Sequence, residues 1–503
     1  MPFRRPQKPS QDGERVTLRT VVSRTFSHLK FPRKPERRTS PQVPNPRYLP
    51  IELWGVVIKH ACLAYFDPLD TSHELSFLEN ESRSLDMYKV SMKDKLACSL
   101  VSRQWHAYAT DFLYEFIWIR NASQAKSLAH LLLLQSLHNG PSYGSCIRRL
   151  HIETPVLELC APADLRSILE NAPGLCIYSD RHSIQRSLYD DARCSPEAIL
   201  KLIAQPKIRR LSWTCYSDAP LQPRLIPLWT NIAANLEFLE LSSCSSNVRT
   251  AVLPAVSSSS NTSDMDVCLP SLRALRVSLD DDTFAVLSLW DMPQLTNLCV
   301  LSSDFSYTGP GFTSFFRAHG HKLVQLELGH APSLIEDHYL TSRPRARTPT
   351  PNRRASLAEW CPNLREFICA ADAEWHWQSP DWLPAHILLS SHPTLELIGI
   401  RGIDVRLRED PDLLSGEAYF TLYEQLSSLL QENAFPALKY VRDMSKGSEM
   451  MRSQCPPQRV LLFWRRLVER CKDRRVWLED CGGMNINHRT LLRAARPGSS
   501  HTF

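Results

Sequence analysis

Glycine is scarce in this sequence, with only 16 Gly among 503 residues. Loops that cradle phosphates need Gly-rich patterns, and the sequence contains neither a Walker loop nor a GxGxxG run. The HExxH pattern of zinc proteases is also missing, and the Cys and His residues show no metal-ligand spacing. The sequence therefore predicts no catalytic residue, no cofactor and no metal.

The sequence also lacks a long apolar run. The longest, LAHLLLLQSL at 128–137, is about half of the ~20 residues that a membrane-spanning helix needs. Fifteen cysteines are present, but there is no Cys-x-x-Cys pair and no apolar signal-peptide core. These features predict free, buried thiols in the cytoplasm or nucleus, and no membrane partner.

A net positive charge is lacking from most of the chain, although the formal net charge of the whole sequence is +6. Residues 1–40 hold 11 Lys and Arg against 3 Asp and Glu, so the rest of the chain sums to about −2. A nucleic-acid-binding core would need a basic stripe on the folded domain, and no nucleic-acid partner is expected. Residues 1–46 are predicted to form a disordered basic tail, with a nuclear-import patch or a transit peptide as alternatives.

One catalytic motif matches by letters alone. Gly140-Pro-Ser142-Tyr-Gly144 fits GxSxG, which needs a strand before the serine and a helix after it. Here LAHLLLLQSLHN, before the motif, has helical character, and CIRRLHIE, after it, has strand character. Ser142 is therefore predicted to be a turn residue, and the protein not to be an enzyme.

A short pattern recurs through the chain: an apolar residue followed three and five positions later by two more. Its copies begin at Ile147, Leu175, Ile208, Leu236, Leu272, Leu295, Leu323, Leu364, Leu395 and Leu438. Segments between them, such as PEAILKLIAQ and FTSFFRAH, have the length and apolar spacing of short helices. One strand and one helix of this size cannot bury their apolar faces alone, so neighbouring units must stack.

The fold class predicted from this pattern is an α/β solenoid over residues 117–482, with FIWI as its first strand and RVWLED as its last. Its insertions lie near 245–266, 342–356 and 404–434, and 483–503 form a C-terminal tail. An ordinary α/β domain is the alternative. The insertion at 342–356 carries candidate phosphorylation sites in basic or Pro-directed contexts: Thr348, Thr350 and Ser356.

The repeats resemble the leucine-rich repeat family, in which the strands line the concave face of a horseshoe. Strand alternation predicts which side chains point away from the helix-covered core. Both charge signs occur there with scattered aromatics, as on protein-binding surfaces. The candidate target-binding residues are Arg149, His151, Arg210, Phe238, Glu240, Arg276, Glu327, Arg401, Tyr440 and Arg442.

The segment 47–116, before the repeats, is predicted to be a small helical module. RYLPIELWGVVIKHACLAYF at 47–66 has an apolar stripe of helical period, and DKLACSLVSRQWHAYATDFLYEF at 94–116 reads as a second such helix. A polar spacer, 67–94, separates them. Both helices carry more apolar surface than two helices can hide, so further protein must cover the rest.

Leu-Pro-x-Glu-Leu-Trp at 49–54, Leu-Val-Ser-Arg-x-Trp at 100–105 and a closing Leu-Tyr-Glu together resemble the F-box, most of all the F-box proteins of fungi. That family's module docks on the Skp-type adaptor of cullin-based ubiquitin ligases. The resemblance implies a substrate-recognition subunit with an unknown target protein; the alternatives are a repeat scaffold without a ligase role and helices that merely cap the solenoid. The implied adaptor contacts are Leu49, Pro50, Leu53, Trp54, Leu100, Val101 and Trp105.

Overall fold

The computed structural model of the chain divides into two compact units, 1–54 and 55–503. The residues that it describes are 51–63, 67–78, 81–138, 142–155, 157–185, 191–216, 230–243, 267–279, 281–302, 310–330, 357–371, 389, 391–409, 419–445 and 456–494. The expectations for Leu49, Pro50, Thr348, Thr350 and Ser356 lie outside these residues, as do those for the basic tail and the insertions at 245–266 and 342–356.

A parallel sheet of twelve strands runs through the second unit, and its spatial order follows the chain from first strand to last. All ten strands predicted from the repeat, together with FIWI and RVWLED, are confirmed. The strands are β1 (Phe116–Ile119), β2 (Arg149–Ile152), β3 (Ile177–Asp180), β4 (Arg210–Cys215), β5 (Phe238–Ser243), β6 (Ala274–Ser278), β7 (Asn297–Ser302), β8 (Gln325–His330), β9 (Glu366–Ala370), β10 (Leu397–Arg401), β11 (Tyr440–Asp443) and β12 (Trp477–Glu479).

Most of the helices described lie between these strands, which gives the predicted strand-and-helix alternation of an α/β fold. The α-helices are α1 (Ile51–Leu63), α2 (Glu81–Ser99), α3 (Arg103–Glu115), α4 (Ala122–Leu137), α5 (Pro162–Glu170), α6 (Pro196–Ile203), α7 (Asp281–Val286), α8 (Pro310–His319), α9 (Leu357–Trp360), α10 (Ile403–Glu409), α11 (Phe420–Ser428), α12 (Gln458–Asp473) and α13 (His488–Ala494).

The main hydrophobic core lies between one face of the sheet and the helices. The second residue of each strand from β2 to β12 belongs to this core, and the registers place these residues side by side: Leu150, Tyr178, Leu211, Leu239, Leu275, Leu298, Leu326, Phe367, Ile398, Val441 and Leu478. Helices such as α6 cover it with apolar residues of helical spacing, after Ser195 caps the helix by accepting from the Ala198 amide. The repeated apolar anchors therefore form one continuous core.

The single helix expected over 94–116 is wrong, because the chain breaks at residues 100–102. Helix α2 begins at Glu81, within the stretch read as a spacer, and ends at Ser99. Ser102 then adopts extended backbone and its side chain accepts a hydrogen bond from the Trp105 amide at 3.1 Å, which starts α3. The apolar period continues across this point and hides the break.

Ser142 lies as expected. It precedes a short 3-10 turn, Tyr143–Cys146, with α4 before it and β2 after it. That order is the reverse of a nucleophile elbow.

None of the helices in the described ranges has the length and apolarity to cross a membrane. The thirteen cysteines among the described residues are all free thiols.

Candidate functional site

The second face of the sheet, away from the helices, carries rows of side chains aligned by the strand registers. The first residues of the strands form one row, and the third residues form the next. All ten candidate target-binding residues lie on this face, as strand alternation predicted. The structure therefore brings together side chains that are nearly 300 residues apart in sequence.

Part of this face is closed to solvent, because residues 67–78 lie across it. We call these residues the covering segment. The sequence predicts a polar spacer over these residues, yet the segment contacts strands from β2 to β10. Of the ten candidate residues, five are buried: Arg149, His151, Arg210, Phe238 and Glu327.

Near β2 and β4, at one end of the covered part of the face, Glu74 of the covering segment is held by two arginines. The Arg149 guanidinium donates to both carboxylate oxygens at 3.0 and 3.2 Å, and Arg210 lies 3.3 Å from the same carboxylate. The three side chains are only 19, 10 and 10% exposed, respectively. Arg149 also donates to the Pro68 carbonyl, so this end binds both the charge and the backbone of the segment.

Immediately after Glu74, two side-chain amides of the sheet bind backbone groups and one hydroxyl of the covering segment. Asn297 donates to the Leu75 carbonyl at 2.8 Å. Gln325 accepts from the Phe77 amide at 2.7 Å and donates to the Ser76 hydroxyl at 2.9 Å. A primary amide can both donate and accept, and Gln325 uses both capacities on the segment.

At the C-terminal end of the covering segment, Phe77 and Leu78 enter a second, smaller hydrophobic cluster. Their exposures are only 6 and 8%, respectively. Their partners are Met444, which follows β11, and residues of the sheet: Phe238, Ala274, Cys299, Ile368 and Leu397. Gly399 lies against Leu78: a Cβ there would touch the Leu78 side chain at 3.4 Å and would crowd Ile368 at 3.2 Å. Small residues on β6, β7 and β10 thus let the segment approach the sheet.

Ion pairs within the sheet surround this cluster. The Arg401 guanidinium lies 2.6 Å from Glu327 and also donates to the Phe77 carbonyl at 2.9 Å. Burial, which alone would lower the pKa of Arg401, is outweighed by the charge and hydrogen bonds of Glu327, so that the pKa is raised. Arg276 with Glu240, at 3.5 Å, and Arg442 with Glu479, at 2.7 Å, add two further pairs.

The helical module before the sheet has its own small core. Ile58 and Cys62 of α1 are buried with Ala109 of α3, and Trp105 packs against them. The Ser91 hydroxyl of α2 donates to the Cys62 carbonyl at 3.3 Å. Helices α1, α2 and α3 therefore form a packed bundle from residue 55 onward.

The implied adaptor contacts divide by exposure. Leu100 and Val101, at the turn between α2 and α3, are 68 and 60% exposed, and Leu53 of α1 is also exposed. Trp54 and Trp105 are half-buried. Other large apolar side chains exposed in this part of the chain are Val56, Val57, Val90 and Leu96.

The sequence contains a signal for the covered face, which the prediction of an open target-binding surface did not use. Phe238, Ala274 and Leu397 occupy positions of the second face, where a solvated sheet would carry polar residues. Apolar residues on both faces indicate that something covers each face. The sequence of 67–78 does not indicate which residues the segment contacts, because its partners lie as many as 324 residues away.

No protein-family model and no curated protein matches this chain.

Proposed function

We propose that the protein is a non-enzymatic substrate-recognition subunit of a Skp-cullin-F-box ubiquitin ligase in the cytoplasm or nucleus. Helices α1–α3 would be the F-box-like module, and the sheet with its helices a leucine-rich-repeat-like solenoid. The observation that carries the proposal is the exposure of Leu100 and Val101 at the α2–α3 turn. The F-box motif assigns adaptor contacts to these two positions.

Exposed apolar side chains support a docking role because water contact at such residues is unfavourable. Leu96, Leu100 and Val101 fall within six consecutive residues, and each is more than half exposed. The α1–α3 bundle can fill its core without them, since Ile58, Cys62 and Ala109 already provide it. A partner surface that covers the α2–α3 turn would therefore gain apolar contact at little cost to the fold.

The solenoid part of the proposal is supported by the sheet order. Among the residues that the structure describes, each strand pairs in parallel with the strands just before and after it in the chain, and none of these strands is inserted out of order. Repeated units that each contact only their neighbours produce this arrangement. The mechanism would be positional: target and ubiquitin-charged enzyme are held on one assembly, so their effective concentration rises.

The test is adaptor binding by the full chain with Leu100→Asp and Val101→Asp combined. We expect at least a tenfold loss of binding in a pull-down with a purified Skp-type adaptor, because two charges would replace apolar contacts. The matched control is Leu133→Asp with Leu137→Asp, two exposed leucines of α4, and it should bind normally. Trp105 is unsuitable for this test because it packs on the module core.

Undiminished adaptor binding by the Leu100/Val101 variant would contradict the ligase role. It would favour the scaffold alternative, in which these helices belong to a repeat protein without a ligase.

A further inference from the structure

We propose that the second face of the sheet is a peptide-binding site that the covering segment, residues 67–78, occupies as an internal ligand. The external ligand would be a short peptide of a target protein with the same chemistry: Glu, then apolar residues one, three and four positions later. In the chain this pattern is Glu74-Leu-Ser-Phe77-Leu78. The inference rests on the target-binding part of the proposed function and makes no use of the adaptor.

The covering segment is bound as a peptide ligand would be. None of its twelve residues joins the sheet, and its regular structure is one 3-10 turn, His73–Leu75. Sheet side chains hold its backbone at the carbonyls of Pro68, Leu75 and Phe77. Hydrogen bonds to the backbone provide affinity in peptide recognition, and pockets for side chains provide specificity.

The sheet supplies an acid-binding end. Arg149 and Arg210 both point at one carboxylate, and their guanidinium groups also lie 4.7 and 4.1 Å over the rings of Phe116 and Phe238, respectively. Cation–π contacts of this kind fix the orientation of each guanidinium. The fork geometry of arginine then suits a carboxylate, so this end selects an acidic residue.

The opposite end selects apolar side chains. Phe77 lies with its ring 6.5 Å from that of Phe238, and Leu78 lies above Gly399. Ala274 and Cys299 leave room for a large ring because their own side chains are small. Between the two ends Asn297 and Gln325 bind backbone groups and the Ser76 hydroxyl. The order of contacts along the face therefore corresponds to the order Glu, apolar, Ser, apolar, apolar.

A peptide in trans must displace the covering segment, which is tethered to the same chain. A tethered ligand has an effective concentration of the order of millimolar. The apparent affinity of a competing peptide equals its affinity for the open face multiplied by the fraction of molecules whose face is open. Loosening the segment should therefore expose a binding site that is largely masked in the native chain.

The experiment uses the full chain with Glu74→Ala and Phe77→Ala, which we call the released variant. The probe is a fluorescently labelled peptide of residues 71–78, TSHELSFL, with its binding followed by anisotropy. We expect the released variant to bind this peptide at least tenfold more tightly than the wild type does. The matched control, Ser72→Ala with His73→Ala, changes exposed residues of the same segment and should bind as the wild type does.

Sequence specificity is checked with a scrambled peptide of identical composition, for which we expect at least tenfold weaker binding to the released variant. A folded released variant that binds TSHELSFL no more tightly than the wild type, or binds the scrambled peptide equally well, overturns the inference. The covering segment would then be a fixed part of the core.

Should the released variant fail to fold, hydrogen exchange of the wild type decides. The Phe77 amide, bonded to Gln325, should exchange at least 100-fold faster than the amides of β8 if the segment opens by itself. Equal rates would overturn the inference. Adaptor pull-down on the same proteins separates the two proposals, since loss of peptide binding with intact adaptor binding contradicts this inference alone.

Discussion

Replacement of Glu74 by Gln should weaken the attachment of the covering segment, because it removes the charge that Arg149 and Arg210 share. Exposed ion pairs contribute about 0–1 kcal/mol, whereas loss of one partner from a buried pair costs about 3–5 kcal/mol. Glu74 lies between these cases, at 19% exposure against two arginines at 10%. Each arginine also keeps a backbone acceptor, Pro68 or Thr71, so we expect a loss of about 2 kcal/mol.

Urea unfolding followed by circular dichroism measures this loss as a change in the free energy of unfolding. Asp70→Asn is the matched control, since Asp70 is an exposed carboxylate of the same segment and accepts hydrogen bonds from Ser72 alone among the contacts described. It should change the free energy of unfolding by less than about 0.5 kcal/mol. A double-mutant cycle of Glu74→Gln with Arg210→Ala should give a coupling of about 1 kcal/mol or more.

An equally small effect of Glu74→Gln and Asp70→Asn would contradict this expectation. In that case the carboxylate would contribute no more than a solvated surface charge, and Arg149 and Arg210 would not form an acid-binding end.

Two further predictions concern the sheet itself. Burial raises the pKa of Asp180 to about 7, so the folded state keeps a proton that the unfolded chain loses near its usual value of 3.8. The contribution of Asp180 to the free energy of unfolding should therefore fall, by up to about 4 kcal/mol, as pH rises from 4 to 7. In urea titrations at each pH, the free energy of unfolding of the wild type relative to that of Asp180→Asn should decrease over this range. Gly399→Ala should cost about 1–3 kcal/mol in the same assay, because the new Cβ would crowd Ile368 and Met444 at 3.2 and 3.3 Å, respectively. An unchanged midpoint in urea would show that these side chains move aside freely.

The strands could be predicted from the sequence because their signal is local. An apolar anchor, followed three and five residues later by two more apolar residues, indicates both where a strand begins and which of its side chains face the core. Each copy of the pattern gives the same indication. The registers keep the same position of every copy aligned, from Phe116 on β1 to Trp477 on β12. Because each copy of the pattern is contained within seven residues, it can be recognised without knowing any distant contact.

The break between α2 and α3 could not be predicted from periodicity. Leu96, Leu100 and Val101 continue a helical apolar pattern, but they lie exposed instead of facing a common core. The break depends on Ser102, whose hydroxyl competes for the backbone as a helix cap. If Leu100 and Val101 serve a partner protein, their hydrophobicity carries no information about the fold of this chain.

The position of the covering segment could not be predicted from the sequence, because its partners are distant in the chain. The Phe77 amide bonds to a residue 248 positions away, and the Phe77 carbonyl to one 324 positions away. Nothing within a short window around 67–78 distinguishes such a segment from a polar connection. Only the excess of apolar residues on the second face of the sheet pointed to a cover.

The strand register has a consequence for how recognition by this protein could change over time. Each strand contributes a single side chain to a given row, so successive parts of a crossing chain meet side chains from different strands, from β2 to β10. A substitution at one such position alters the contacts made by one strand and leaves the buried anchors of that strand unchanged. Preference for a new partner can therefore be acquired one strand at a time, while the fold stays the same.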